Sequence, residues 1–395
     1  MKSYRYIQEV EEDPMATTTE DQQLMVKAID QICRSIVTDE YSAEIDREAR
    51  YPAEVMDALA AQGWAALPVP ASAGGGGASA RDLVVIHDAL ARHNLVIGQA
   101  FFSLWVLGAE AIDRMGTQEQ KDEWLPRASE GANIAFALTE PGSGSDAAAL
   151  RASAVREGDD FVVNGSKVFI TGAAVADVII TAVRTSTDGK KHDGITLLLI
   201  DPKEPGVEIR KLSKMGLKGL DLCEVFFDSA RVPVSAVLGE VDRGWSGVTP
   251  GLAKERMLLA ALAVGALRDL LDRCLEHSLA RTTFGKPIAS HQLIADKLVT
   301  MRVAIEAGEA LALRAADAVD SEDPDAASIA AIAKLYATDA YCTATREAVQ
   351  IFGGYGFTDE YPVSRHYRDC KYLEIGGGTS EIQKIVVARS MGIRL

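Results

Sequence analysis

The spacing of apolar residues changes twice along the chain, and this change restricts the possible folds more than any other feature. From about residue 17 to 131, apolar residues recur every three or four positions, as in Gln22 to Ile36 and Tyr51 to Gln62, which predicts helices. Between about 133 and 240, short β-rich runs alternate with turn residues. From about 245 onward the helical spacing returns. The order predicts three domains.

The middle segment predicts a small β-barrel or sandwich. The runs Phe161 to Val163 and Lys167 to Ile170 are separated by Asn164-Gly165, which is a strong signal for a hairpin turn. Further short strands are predicted over 178–183, 194–200, 207–212 and 223–227.

The last segment predicts a four-helix bundle, because long apolar-periodic runs with a polar face are joined by short links. These runs cover 254–280, 291–318 and 328–351. The predicted fold class is therefore α+β and mainly α. The predicted parts are a flexible N-terminal extension over 1–16, a helical domain over 17–132, a β domain over 133–242 and the bundle over 243–395.

Composition narrows the classes of function. The formal net charge of -16 disfavours nonspecific binding to nucleic acid or to anionic membranes, so neither is expected as a partner. An anionic ligand therefore needs a local cluster of cations or helix N-termini. The five cysteines are scattered, which favours buried thiols over a metal site or disulfides and predicts a cytoplasmic protein. No apolar run looks long enough to span a membrane, and Met257 to Ala266 is the nearest candidate.

Two motifs flank the predicted β domain. In Phe136 to Asp146, small residues allow a ligand to approach the backbone closely, and hydroxyl groups can bond to carbonyl or phosphate oxygens. In Lys167 to Gly172, an aromatic ring stands beside a hydroxyl, which suits a flat heterocycle. Each motif alone is equally typical of an ordinary turn or strand.

Three further motifs belong to the bundle. Arg281 to Pro287 places cations at the end of a long helix, where they either compensate the helix dipole or bind a pyrophosphate. Gln350 to Gly356 is rich in glycine. In Glu374 to Gln383, three consecutive glycines enter a helix and expose N–H donors.

Taken together and in this order, the five motifs closely resemble the acyl-CoA dehydrogenase family over nearly the whole chain after residue 17. The resemblance implies a non-covalent FAD between the β domain and the bundle. It also implies an acyl-CoA thioester as substrate, electron-transfer flavoprotein as electron acceptor, and a homo-oligomer that is usually a tetramer.

The resemblance also implies which residues contact FAD. Those facing the flavin in their own chain are Phe136, Leu138, Thr139, Gly144, Ser145, Phe169, Ile170 and Thr171, with Thr171 near flavin N5. Those reaching FAD across a subunit interface are Arg281, Phe284, Gln292, Gln350, Gly353 and Gly354. Thr379 and Glu381 contact FAD from their own chain.

The reaction of the family needs a base that removes the α proton, and hydride then passes from the β carbon to the flavin. In much of the family the base is a Glu at the position of Gly377. In the isovaleryl-CoA and long-chain branches it lies on a bundle helix immediately before an Arg, and Glu255-Arg256 stands at that place. The apolar stretch after Glu255 predicts burial and a raised pKa. Without the resemblance, Glu255 is typical of an acidic residue near a helix start. Glu374 and Glu381 are rivals by sequence proximity.

Substrate contacts are expected from Ser145, Arg256, Gly377 and Gly378, with the N–H of Gly377 donating to the thioester carbonyl. Leu220 and Leu222 stand where the family usually has Ser and Thr, so contacts on the carrier side of the thioester differ. Phe102 and Trp105 either shorten the acyl pocket or belong to the core.

Three alternatives to a short- or branched-chain acyl-CoA dehydrogenase remain open. The first is a dehydrogenase of an acyl group carried by a carrier protein in secondary metabolism. The second is a flavin oxidase or N-oxygenating relative. The third is an inactive homologue that binds acyl-CoA, which the glycine at 377 motivates and Glu255 opposes.

Overall fold

Helices, then a sheet, then helices follow one another along the chain, as the apolar spacing predicts. The computed structural model describes residues 18–394, apart from the side chains at positions 249 and 250. The extension predicted over 1–16 lies outside the described residues.

The first segment is helical. Its helices are α1 (Glu20–Ile36), α2 (Asp39–Glu48), α3 (Ala53–Ala61), α4 (Ala80–His93), α5 (Leu95–Ala100), α6 (Leu107–Met115) and α7 (Gln118–Ser129). Thr19, Ser79 and Thr117 cap α1, α4 and α7 with reciprocal hydrogen bonds to the third helical residue.

The glycine-rich segment 74–77, before α4, forms a tight turn. A Cβ placed on Gly75 would lie 2.2 Å from the carbonyl oxygen of Val69, so the turn folds too tightly against the preceding segment for a larger residue.

One long helical stretch contradicts a sequence prediction. Leu95–Met115 runs through α5, a π-helical turn (Phe101–Val106) and α6, and it is long and apolar enough to span a membrane by length and composition. The prediction that Met257 to Ala266 is the nearest candidate is therefore wrong. In the structure, 89% of the most apolar window of this stretch is buried inside the protein. This is the environment of a core helix.

The middle segment is a sheet. Its strands are β1 (Ile134–Ala137), β2 (Ser153–Glu157), β3 (Asp160–Thr171), β4 (Val178–Arg184), β5 (Ile195–Ile200), β6 (Val207–Lys211), β7 (Leu222–Pro233) and β8 (Val237–Leu238). They pair in the order β6-β7-β3-β2-β4-β5-β8, and β1 pairs with β4 in parallel. The predicted β domain is confirmed.

The predicted hairpin at Asn164-Gly165 is wrong, because these residues form a bulge inside the continuous strand β3. The register against β7 shifts between Val163 and Gly165. A type I′ turn needs positive φ at both central residues, and of the two only Gly165 has one, at 132°. Gly165 instead brings the backbone close to Ala152, whose Cα would lie 2.7 Å from an added Cβ.

The last segment is the bundle. It contains α8 (Gly244–Ala280), the small strands β9 (Thr282–Thr283) and β10 (Lys286–Pro287), and then α9 (Gln292–Asp320), α10 (Ala326–Phe352), α11 (Pro362–Ile375) and α12 (Ser380–Ser390). Helices α8, α9 and α10 pack on one another, α11 packs on α8 and α10, and α4 covers α8 from the first segment. The central part of α8, from Met257 to Ala266, is buried where the first segment meets the bundle.

Candidate active site

Glu255 on α8 lies directly against the glycine loop 376–378, which joins α11 to α12. A Cβ placed on Gly377 would lie 3.4 Å from Oε1 of Glu255 and 2.5 Å from Cδ1 of Leu259. Gly377 also has a positive φ of 64°. The carboxylate of Glu255 therefore occupies the space that a side chain at 377 would need, and the backbone geometry there favours glycine.

The surroundings of Glu255 suit a proton acceptor. Burial raises the pKa of Glu255 to about 7, and the repulsion of Glu110 adds to this effect. The cations Arg256 and Lys334 lower that pKa, but by less than burial raises it. A carboxyl group with a pKa near neutrality is ionised in a useful fraction of molecules and still binds a proton well.

Arg256 is buried and has no hydrogen bond or ion pair among the described residues. Its side chain is 7% exposed, its Nε has no hydrogen-bond partner, and it forms no ion pair within the described residues. Burial lowers the pKa of Arg256, and the neighbouring Glu255 opposes that change. Because a buried guanidinium without hydrogen bonds is costly, the geometry agrees with the predicted contact to a polar part of the substrate.

A cavity of about 150 Å³ opens between the β domain and the bundle. Its wall includes Gln99, Thr171, Leu220, Leu222, Tyr372 and Ile375. Leu220 and Leu222, which replace the hydroxyl residues usual in the family, thus make this wall apolar.

One polar cluster interrupts the cavity wall. The amide of Gln99 donates to the hydroxyls of Ser103 and Tyr372, at 2.8 and 3.0 Å, and Tyr372 is also hydrogen-bonded to Thr171. Phe102 and Trp105 are not part of the wall. They lie in the core of the helical segment, where Trp105 Nε1 donates to the carbonyl of Gly131.

The first two motifs lie side by side. The N–H of Val168 donates to the carbonyl of Thr139, which brings the segment after β1 next to the end of β3. Phe169 has a positive φ of 62° and its ring is 60% exposed, so the ring is available to a ligand. The side chain of Ile170 points into the core of the sheet, so only the backbone of Ile170 is available for the predicted flavin contact.

A buried ion pair that the motif analysis overlooked holds the first motif in place. The carboxylate of Glu140 accepts hydrogen bonds from Nζ of Lys167 at 2.7 Å and from the backbone N–H groups of Arg151 and Ala152. Lys167 Nζ also donates to the carbonyl of Leu138. This pair fixes the loop that carries Gly144 and Ser145, both of which are exposed.

The third and fourth motifs lie far from this site. Arg281 follows the last residue of α8, and at 1.5 Å per residue it stands about 39 Å along the helix from Glu255. The guanidinium of Arg281 lies over the ring of Tyr355, and Phe284 is 96% exposed. The structure thus groups Arg281 and Phe284 with the glycine-rich turn that carries Gly353 and Gly354, away from Thr171 and Glu255.

The fifth motif is fixed by two residues that the sequence analysis missed. Thr379 caps α12 by accepting from the N–H of Ile382, and Glu381 is exposed in the first turn. Lys334 and Gln383 are both fully buried, and their side chains donate to carbonyl groups of the glycine loop. Lys334 lies outside all five motifs and Gln383 is the last residue of the fifth, and only the three-dimensional contacts reveal the role of either residue.

The family comparison covers all three segments. The chain matches the acyl-CoA dehydrogenase N-terminal domain over residues 19–132, the middle domain over 135–230 and the C-terminal domain over 242–392. An acyl-CoA dehydrogenase of Bacillus subtilis (strain 168) is 34% identical over 374 residues, which is 94% of this chain and 98% of the relative. The CarC subunit of the caffeyl-CoA reductase-Etf complex of Acetobacterium woodii is 34% identical, over 89% of this chain and 93% of that one.

Solved structures agree. Butyryl-CoA dehydrogenase from Megasphaera elsdenii has a TM-score of 0.90 at 32% identity, covering 95% of this chain and 99% of that one. The prolyl acyl carrier protein oxidase AnaB has a TM-score of 0.90 at 27% identity, covering 95% and 100%. The FAD complex of PigA also has a TM-score of 0.90 at 27% identity, covering 96% and 99%.

Fold and site therefore define a flavin oxidoreductase. The chain belongs to the acyl-CoA dehydrogenase family, and its cofactor is FAD. The residues present fit that group. Phe169 offers an exposed ring beside Thr171, and the surface at Gly144 is open because an added Cβ there would meet nothing within 4 Å.

The contact between Gly377 and α8 predicts a cost for any side chain at this position. Gly377→Ala is expected to destabilise the protein by about 1–3 kcal/mol, because it combines a positive φ with a clash against Leu259. Gly142→Ala is the control, since its Cβ would meet nothing within 4 Å. Equal unfolding midpoints for the two variants in urea would contradict the packing described for the loop.

Proposed function

We propose that this protein catalyses FAD-dependent α,β-dehydrogenation of a short or branched acyl-CoA thioester, with Glu255 as the general base. The observation that carries this proposal is the position of Glu255, whose carboxylate lies against Gly377. The base position common in the family is a glycine here, and a carboxylate from α8 has taken its space. A pKa raised to about 7 supports the same role.

In the proposed mechanism, the carboxylate of Glu255 removes the α proton of the acyl group. The backbone N–H of Gly377 donates to the thioester carbonyl oxygen, where negative charge develops as the proton leaves. Arg256, close to Glu255 and without a partner, holds a polar part of the acyl carrier. Bound FAD supplies the acceptor for the hydride that leaves the β carbon.

The size of the cavity supports a small acyl group. Its volume is about 150 Å³, and Leu220 and Ile375 contribute apolar surface to the wall. Phe102 and Trp105 do not limit the length of an acyl chain in this cavity, because both belong to the core of the helical segment.

Glu255→Gln is expected to slow reduction of the flavin by an acyl-CoA about 10²- to 10⁴-fold, because the amide cannot accept the α proton. The measurement is stopped-flow bleaching of FAD absorbance under anaerobic conditions with saturating isobutyryl-CoA or butyryl-CoA.

The matched control is Glu374→Gln. It removes a carboxylate that lies next to the glycine loop and pairs with Lys371. This variant should reduce the flavin at the rate of the wild type. Equal rates for wild type and Glu255→Gln would overturn the assignment of the base. No flavin reduction by any thioester in the wild type would favour an inactive acyl-CoA-binding homologue.

A second candidate substrate is an acyl group on the phosphopantetheine arm of a carrier protein. Two observations favour it. Leu220 and Leu222 replace hydroxyl residues in the cavity wall, and the similar structure of AnaB is that of a prolyl acyl carrier protein oxidase. The proposed α-proton chemistry is the same for both carriers, so the two candidates differ only in the contacts made with the carrier.

We propose electron-transfer flavoprotein as the acceptor of the electrons. The similarity to the CarC subunit of a caffeyl-CoA reductase-Etf complex supports this partner. An oxidase would instead use oxygen directly.

Turnover assays separate these partners. The acyl-CoA is expected to give a higher kcat/KM than the same acyl group on a carrier protein, and electron-transfer flavoprotein is expected to reoxidise the reduced enzyme faster than air does. The reverse order of carriers would favour the second candidate substrate. Reoxidation by air that matches turnover would indicate an oxidase.

We further propose a homo-oligomer, with a tetramer as the assembly. Arg281 stands about 39 Å along α8 from Glu255. Contacts from two chains therefore explain better how both ends of one FAD are bound. Helix α9 carries exposed apolar residues, with Leu293 at 80%, Val299 at 62% and Val303 at 58% exposure, next to the exposed ring of Phe284. A row of this kind is typical of an interface.

The double variant Val299→Glu/Val303→Glu is expected to lower the sedimentation coefficient and to release FAD, because charges in an apolar interface oppose association. The control is Leu24→Glu/Val155→Glu, at two positions with 61% and 60% exposure on other elements. Unchanged sedimentation of the first variant, or equal changes in both, would contradict this interface.

A further inference from the structure

Lys334 on α10 is a fully buried cation without a carboxylate partner. Its side chain has 0% exposure, and no ion pair is formed by it within the described residues. Its Nζ instead donates to the carbonyl oxygens of Glu374 at 3.1 Å and Gly378 at 3.0 Å. Lysine is rarely buried completely unless it is paired, so this arrangement calls for a reason beyond packing.

Gln383 on α12 holds the same loop and shares the Gly378 carbonyl with Lys334. Its Nε2 donates to the carbonyls of Gly377 at 3.0 Å and Gly378 at 2.7 Å. Its Oε1 is buried without a partner. The carbonyls of both peptides are thus tied to buried donors.

The direction of these bonds fixes the direction of the N–H groups. In a trans peptide the C=O and N–H point to opposite sides. With the carbonyls of Gly377 and Gly378 turned toward Lys334 and Gln383, the N–H groups of Gly378 and Thr379 point away from both side chains. The loop is therefore held in one conformation, with its donors on the opposite side.

Lys334 also acts on Glu255 through its charge. Four groups interact electrostatically with Glu255: Arg256 and Lys334 stabilise its anion, Glu110 destabilises it, and the phenol of Tyr372 is itself affected by it. Burial lowers the pKa of Lys334 to about 8, and Glu255 and Glu374 oppose that change. Lys334 is thus mostly charged at the pH where Glu255 titrates.

We propose that Lys334 is a positioning residue for the dehydrogenation reaction: its Nζ holds the glycine loop against Glu255, and its charge stabilises the Glu255 carboxylate. This inference rests on the proposed role of Glu255 as the base. Gln383 shares the first task but carries no charge, so the two tasks are separable by mutation.

The first measurement is the pH dependence of flavin reduction by butyryl-CoA. The acid limb is the fall of the reduction rate at low pH. In Lys334→Met this limb is expected to move upward by about one pH unit, because the loss of a nearby cation raises the pKa of Glu255. The limb moves upward because only the ionised carboxylate of Glu255 can accept the proton, and a higher pKa means that a higher pH is needed to ionise it. Lys334→Gln is a second variant that keeps a polar side chain. Its acid limb must also move upward. In Gln383→Met the limb is expected to stay in place.

The second measurement is amide hydrogen exchange of the protein without substrate. Both Lys334→Met and Gln383→Met are expected to accelerate exchange in 376–379 at least about tenfold, because each loses bonds to the loop carbonyls. The control is Arg268→Met, which removes a largely buried cation on α8 that pairs with Asp88 and Glu309, away from the glycine loop. It is expected to destabilise the protein while leaving both the acid limb and the exchange of 376–379 unchanged.

The outcomes are distinct. If the acid limb stays at the wild-type pH in both Lys334 variants, the charge of Lys334 does not stabilise the Glu255 carboxylate. If amide exchange in 376–379 is unchanged in Lys334→Met, Lys334 does not hold the loop. A limb that moves equally in Arg268→Met would show a general effect of lost stability, which also overturns the inference. If Glu255→Gln reduces the flavin as fast as wild type, the proposed base fails instead, whatever the Lys334 variants do.

Discussion

The contact between Glu255 and Gly377 joins the parts of the structure that matter for chemistry. It places the long helix α8 so close to the loop between α11 and α12 that a Cβ at 377 would lie 2.5 Å from Cδ1 of Leu259. A side chain at 377 would meet both the carboxylate and Leu259. The apolar stretch that follows Glu255 anchors α8 in the core, so the carboxylate is held by a rigid element. The glycine loop packs against this helix.

Much of the fold could be predicted from the sequence because apolar spacing changes wherever the secondary structure changes. The site could be predicted in part, because Glu255-Arg256 stood out beside the glycine at 377, and the structure brings Glu255 next to that glycine. The flavin contacts stay a prediction. The errors have physical causes. Asn164-Gly165 has the composition of a turn, yet long-range pairing with β7 keeps β3 continuous. Lys334 could not be predicted, because an isolated lysine in a helical pattern is usually exposed and only the packing of α10 under the loop buries it.

The protein carries a strong negative charge overall but places cations inside. Lys334 and Arg256 are buried near Glu255, and Lys167 is buried under the first motif. The reaction of the family passes negative charge from a carboxylate to a thioester oxygen, so fixed positive charge in a poorly solvated region has a larger effect there than at the surface. The acidic exterior then limits nonspecific binding of other anions.

The length of α8 has a consequence for how the sites of an oligomer depend on one another. The helix puts Glu255 near one end and Arg281 beyond the other, so on the proposed assembly each flavin is bound by two different chains. Two inactive variants, one damaged at Glu255 and one at Arg281, would then complement each other when mixed. A heterodimer of the two contains one site with both defects and one site with neither. On that assembly, activity is a property of the pair of chains and not of either chain alone.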